Sequence, residues 1–175
     1  MKTKQISFCG IMAALATVFM LAAWFPFVTY AVPCTAALTI MVVLIEYGQT
    51  AAFLTYLVST VPIMLFAQGE AKLIYVFFAG FYPVLKAILE KLSNRVFEYA
   101  LKLILFNLFV GIIYIVATFI FGISYDDLGE LGRYGVGIFL VLANLVFVAF
   151  DFCISKMAEF YIIRFHKTVS KMLKK

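Results

Sequence analysis

From Ile6 to Ala23 the sequence runs for 18 residues without one charged side chain. A soluble helix buries one face and keeps polar residues on the other. A run that is apolar on every face and about 20 residues long matches the hydrocarbon core of a bilayer instead. Similar runs recur along the chain. They predict spans over about 6–27, 32–45, 50–67, 73–89, 97–121 and 134–155, followed by a basic tail over 156–175. Composition points the same way: 66% of the 175 residues are hydrophobic, 13% are charged, and the mean hydropathy is +1.09. A soluble domain is nearer half apolar and a quarter charged. The expected fold is therefore one all-α integral membrane domain, a six-transmembrane-helix bundle. Six spans of about 20 residues occupy about 120 positions, which leaves no room for a second domain. A soluble enzyme, a secreted disulfide scaffold and a disordered regulator are excluded.

The opening Lys2-Thr3-Lys4 before an apolar run has the outline of a signal peptide. The run is too long for an ordinary signal core, and it reads as an uncleaved first span with Trp24, Pro26 and Tyr30 at its far interface. Lysine and arginine set orientation. With the N-terminus inside, twelve fall on one side and only Lys72 and Arg133 on the other. Both termini are expected in the cytoplasm, with the chain in the cell membrane. The net charge of +5 then serves orientation and the lipid bilayer rather than nucleic acid. Cys9, Cys34 and Cys153 lie far apart without CxxC spacing and read as small buried hydrophobes. The tail mixes Met157, Phe160, Tyr161, Ile163 and Phe165 with basic residues, as does a helix that continues the last span along the inner leaflet.

Polar groups inside spans are costly, so each one is informative. Glu46, Lys86, Lys102 and Asp151 fall near the inner ends of spans two, four, five and six. At one depth they would form an intramembrane charge cluster, either a structural set of ion pairs or a ligand or proton site. Asn107 and Asn144 fall near mid-span and must face the bundle interior, either bonding helix to helix or lining a pocket. Tyr75, Phe78 and Tyr82 recur along span four at helical spacing, and Tyr114 lies on the outer half of span five. Together they suit either a wall for a planar ligand or ordinary core packing. Gly10, Ala13, Ala14 and Thr17 share one face of span one at i, i+3, i+4, i+7. That face admits a close helix, from this chain or from another subunit. The segment Gly122–Arg133, with Asp126 and Asp127, reads as a lid or a solvated connector.

Catalytic and cofactor motifs are missing: there is no HExxH, P-loop, GxSxG or redox CxxC, and the one histidine, His166, lies in the tail. The sequence argues against an enzyme, a bound metal or a cofactor. Any energy coupling falls to a partner or an ion gradient.

Six short spans, both ends inside, no ATPase motif and the opening Lys2-Thr3-Lys4 leading into Gly10-Ile11-Met12-Ala13-Ala14-Leu15-Ala16 resemble the substrate-binding S-component of an energy-coupling factor (ECF) transporter. The resemblance covers almost the whole chain. It implies a high-affinity binding subunit for a vitamin or related small molecule, toppling when docked to a transmembrane coupling subunit served by two ATPase subunits. It places the docking face on Gly10, Ala13, Ala14 and Thr17. It places the solute pocket at Tyr75, Phe78, Asn107, Tyr114 and Asn144, capped by loops near Tyr30, Gln68 and Asp126. Nickel and cobalt are not implied, because the N-terminal histidine those members use is absent. Two other readings remain: an accessory or scaffold subunit of another membrane complex, and a small secondary transporter using Glu46 or Asp151 as a proton carrier.

Overall fold

The computed structural model describes residues 3–25, 28–92, 94–121 and 132–174. Among them every element is helical. They are α1 (Thr3–Leu21), extended by a 3-10 turn over Ala22–Trp24, α2 (Val32–Tyr47), α3 (Gln49–Phe66), α4 (Gly69–Ile74), α5 (Tyr82–Leu89), α6 (Arg95–Phe121), α7 (Gly132–Tyr161) and α8 (Lys167–Lys174). π-helical turns over Tyr75–Ala79 and Ile162–His166 join α4 towards α5 and α7 to α8.

Among the described residues, five stretches are long and apolar enough to cross a membrane. The chain is thus consistent with a multi-pass membrane protein. The second expected span departs from this pattern. α2 has 16 residues, about 24 Å at 1.5 Å each, against a hydrocarbon core of about 30 Å. Its place explains the shortness. α2 packs on α1, α3, α5 and α7, and half of its residues are buried, so it meets protein rather than lipid. Pro33 at its first turn costs no hydrogen bond there. Gly48 alone joins α2 to α3, at φ +84°, a backbone conformation that residues with a Cβ rarely adopt.

α1, α2, α3 and the start of the fourth span enclose one apolar core, centred on Ala16, Met20, Ile40, Ile63 and Tyr75. A second core joins α2 and the fourth span to α6 and α7 through Phe78, Tyr82, Phe147 and Phe150. α6 contributes little buried area. Among the described residues its only buried side chains are Glu98 and Lys102. In lipid there is no hydrophobic drive between helices, so such a helix must be held by polar bonds and shape.

The fourth span, expected as one helix over 73–89, is discontinuous. The Gly80 amide, which an α-helix would pair with Val76, pairs with the Tyr75 carbonyl at 2.8 Å. The freed Val76 carbonyl accepts the Tyr56 hydroxyl at 2.7 Å. Pro83 then supplies no amide to Ala79, and α5 restarts with Val84 and Leu85 both bonded to Phe81. This break is possible because Gly80 has no side chain. A Cβ there would lie 2.8 Å from the Tyr56 ring and 2.9 Å from the Tyr75 ring.

Gly80→Ala is therefore expected to lower stability by about 1–3 kcal/mol through overpacking. Gly10→Ala, whose added carbon meets nothing within 4 Å, is expected to leave stability unchanged or slightly raised. Thermal or denaturant unfolding of both variants in one detergent checks the difference.

Candidate functional site

Three elements bring their charges to one place. On α5 and the turn after it, Tyr82, Lys86 and Glu90 stand at i, i+4 and i+8 on one face. On α6, Glu98 and Lys102 stand at i and i+4. Asp151 comes from the middle of α7. The Asp151 carboxylate accepts the Tyr82 hydroxyl at 2.6 Å and pairs with the Lys86 ammonium. That ammonium also bonds the Asp151 backbone carbonyl at 3.2 Å and Glu90 at 3.0 Å. Lys102 pairs with Glu98 at 2.6 Å and reaches Asp151 and Glu90, each at 3.5 Å. Lys86, Lys102 and Asp151 are each no more than 5% exposed. Taking such ions out of water is expensive, and they persist only when every partner is present.

Glu46 does not join them. Its carboxylate accepts the Tyr161 hydroxyl at 2.9 Å and lies 2.9 Å from His166 Nδ1. The expected cluster of four is thus corrected: Lys86, Lys102 and Asp151 meet, Glu90 and Glu98 complete the set, and Glu46 forms a separate clamp. The reason is topological. α2 ends beside the extension of α7, whereas the ion network lies between α5, α6 and α7.

The five expected pocket residues are dispersed. Tyr75 is fully buried in the first core, where it donates to Ser59 Oγ at 2.8 Å, because the Ser59 proton is engaged by the Tyr56 carbonyl at 2.8 Å. Phe78 is buried in the second core, ringed by Tyr82, Phe106, Phe147 and Phe150. Both lie in the π-helical turn but point into different cores, so Tyr75 and Phe78 do not form one wall. Asn107 and Asn144 bond each other reciprocally, at 3.0 and 3.1 Å, and each amide also bonds the carbonyl four residues back. They tie α6 to α7. Tyr114 is half exposed.

Of the expected cap, Tyr30 donates to Glu70 at 2.6 Å, and Gln68 lies 3.5 Å from the Thr29 hydroxyl. With Trp24 Nε1 donating to the Phe66 carbonyl at 3.2 Å, the loop before α2 is bound to the loop before α4. Asp126 and Pro26 lie outside the described residues. On α1 the small residues divide. Ala13 is buried against the bundle, Thr17 is half-buried and bonds the Ala13 carbonyl at 3.0 Å, and Gly10 and Ala14 face outward.

Glu90 and Glu98 carried a usable signal in their four-residue spacing from Lys86 and Lys102. Tyr82, Tyr161 and His166 carried none, since their carboxylate partners lie 69, 115 and 120 positions away. No family model, curated protein or solved structure matches this chain.

Asp151→Ala is expected to destabilise the protein by about 3–5 kcal/mol, because it removes the buried carboxylate that holds Lys86 and leaves that ammonium only the half-exposed Glu90. Tyr82→Phe, which removes one hydrogen bond to that carboxylate, is expected to cost about 1–3 kcal/mol. Denaturant unfolding followed by far-ultraviolet circular dichroism in a fixed detergent measures both.

Proposed function

We propose that the chain is a membrane-embedded solute-binding subunit of an ECF-type importer. Both ends lie in the cytoplasm of a bacterial cell and six passes cross its membrane, the second of them made by the protein-covered helix α2. The subunit takes up a vitamin-like small molecule from outside. It docks through α1 on a separate membrane coupling subunit, and two ATPases drive it to topple and release the solute inward.

The observation that carries this reading is the outward face of α1. Gly10 and Ala14 lie on it with open space around Gly10. Small residues on the outer face of a spanning helix let a second helix approach closely. Ala13 already serves the internal packing, so the outward pair remains for a partner. The bonds from Trp24 to Phe66 and from Tyr30 to Glu70 add a preassembled rim at the end where solute would enter.

A second reading, an accessory subunit without a solute pocket, is favoured by one observation. Tyr75 and Phe78 fill the two cores, and Asn107 and Asn144 satisfy each other. Recovered partners separate the two.

Tagged chain purified gently from its native membrane is expected to bring down two ATPases and one larger membrane subunit. Ala14→Trp is expected to be produced at the normal level and to be recovered without them. Wild-type chain recovered alone or with other partners overturns the importer reading.

A further inference from the structure

A cleft of about 370 Å³ opens between α2, α5 and α7, at the end of the bundle that holds the ion network. Its volume falls in the roughly 300–1,000 Å³ range of sites that hold small organic molecules. Its lining is largely apolar, with Leu44 and Ile45 from α2, Pro83 from α5, and Ile154 and Ala158 from α7. The polar lining groups are Lys86, Glu90, Ser155 and Glu159.

Charge decides what such a cleft accepts. The ion network joins two ammonium groups, Lys86 and Lys102, to three carboxylates, Asp151, Glu90 and Glu98. Fully ionised, it carries one uncompensated negative charge. Of the five groups only Lys86 and Glu90 line the cleft. The Lys86 side chain is 6% exposed and already held by Asp151 and Glu90. The Glu90 side chain is 46% exposed, and its ion pairs run through Oε1, so a further donor has access to the carboxylate. Glu159 adds a second carboxylate to the lining, paired at 2.9 Å with Lys156, which does not line the cleft. An anion entering here meets two carboxylates and no available cation. A neutral apolar guest leaves the excess charge unmatched next to a low-dielectric surface, where charge interactions are strong.

We propose that this cleft is a binding site for an amphipathic organic cation, a small monovalent ammonium on a hydrophobic body. The ammonium sits on the Glu90 carboxylate, with Glu159 as the second acidic group. The apolar body lies against Leu44, Pro83, Ile154 and Ala158. The site is independent of the proposed import function, since it lies away from the Trp24–Tyr30 loop and from the outward face of α1.

A set of probes of equal shape and different charge tests it. Phenethylammonium, phenethyl alcohol and phenylpropionate are titrated calorimetrically into the full-length chain in an uncharged detergent. The ammonium is expected to bind saturably, the alcohol at least about tenfold more weakly, and the carboxylate not at all. Glu90→Gln is expected to lower affinity for the ammonium by about tenfold and to leave that for the alcohol unchanged. Ala158→Trp, which fills the cleft without removing a charged group, is expected to abolish binding of both. It keeps the test valid if Glu90→Gln fails to fold. The proposal is overturned by no saturable binding of the ammonium up to about 10 mM, the weak limit for so small a ligand. Equal affinity for ammonium and alcohol, or undiminished binding in folded Ala158→Trp, overturns it as well.

Discussion

The carboxylate of Asp151 between two buried lysines is the contact on which half of the bundle depends. α7 supplies the acid, α5 supplies Lys86, and α6 supplies Lys102. The fully buried described side chains of α6 are both ions of this network, and the apolar residues it adds to the second core, Leu103, Phe106, Phe109 and Ile113, are only partly buried. In a bilayer this is a workable arrangement, because lipid tails are as apolar as leucine and burial alone gives helices little reason to associate. Ion pairs and amide bonds supply the preference instead, and Asn107 and Asn144 repeat the device farther along the same two helices. The cost is dependence on completeness. A buried ion that loses its partner is worse than an apolar residue in its place.

The discontinuity of the fourth span is what lets this network coexist with two cores. A regular helix would set Tyr75, Phe78 and Tyr82 on one face. The π-helical turn and the restart at Phe81 rotate the second half, so that Tyr75 points to Ser59 on α3 while Tyr82 points to Asp151 on α7. Each tyrosine hydroxyl finds a partner, as a phenol away from water requires. Tyr56 closes the arrangement by taking the carbonyl that the register change frees. One glycine thus decides which core each aromatic residue joins.

Much of the architecture was legible in the sequence because bilayer thickness fixes the length of an apolar helix. The runs beginning near Ile6, Thr50, Leu73, Phe97 and Tyr134 each lie within a spanning stretch, or overlap one as far as the structure describes it. Lys86 and Lys102, counted among the residues expected to set orientation, are buried members of the ion network rather than surface markers. The break at Gly80 was not legible. Pro83 cannot donate to a helix, but the register change before it also relies on the Tyr56 hydroxyl, which only tertiary packing brings to the Val76 carbonyl. The grouping of the acids was legible in part. The four-residue pairs Lys86–Glu90 and Glu98–Lys102 are local, whereas the choice of Asp151 over Glu46 depends on which helix stands beside which.

Glu46 shows how a short helix alters its neighbours. α2 is shorter than the hydrocarbon core is thick, so its last turn ends among longer helices. An acid there cannot rely on water, and its side chain is only 3% exposed. The partners must come from protein. α7 runs to Tyr161 and continues through a second π-helical turn to His166, and both residues close on the Glu46 carboxylate. The extension beyond Ser155, which composition alone marks as a basic tail, therefore completes the fold at this end. It covers the end of α2 in the way that the Tyr30–Glu70 bond secures the opposite loops. The two ends differ in chemistry: one is held largely by ionisable side chains on helices, the other by single hydrogen bonds between loops. Acidic lining groups at the ion-bearing end follow from that difference, because three carboxylates against two ammonium groups leave an excess that the packing cannot absorb.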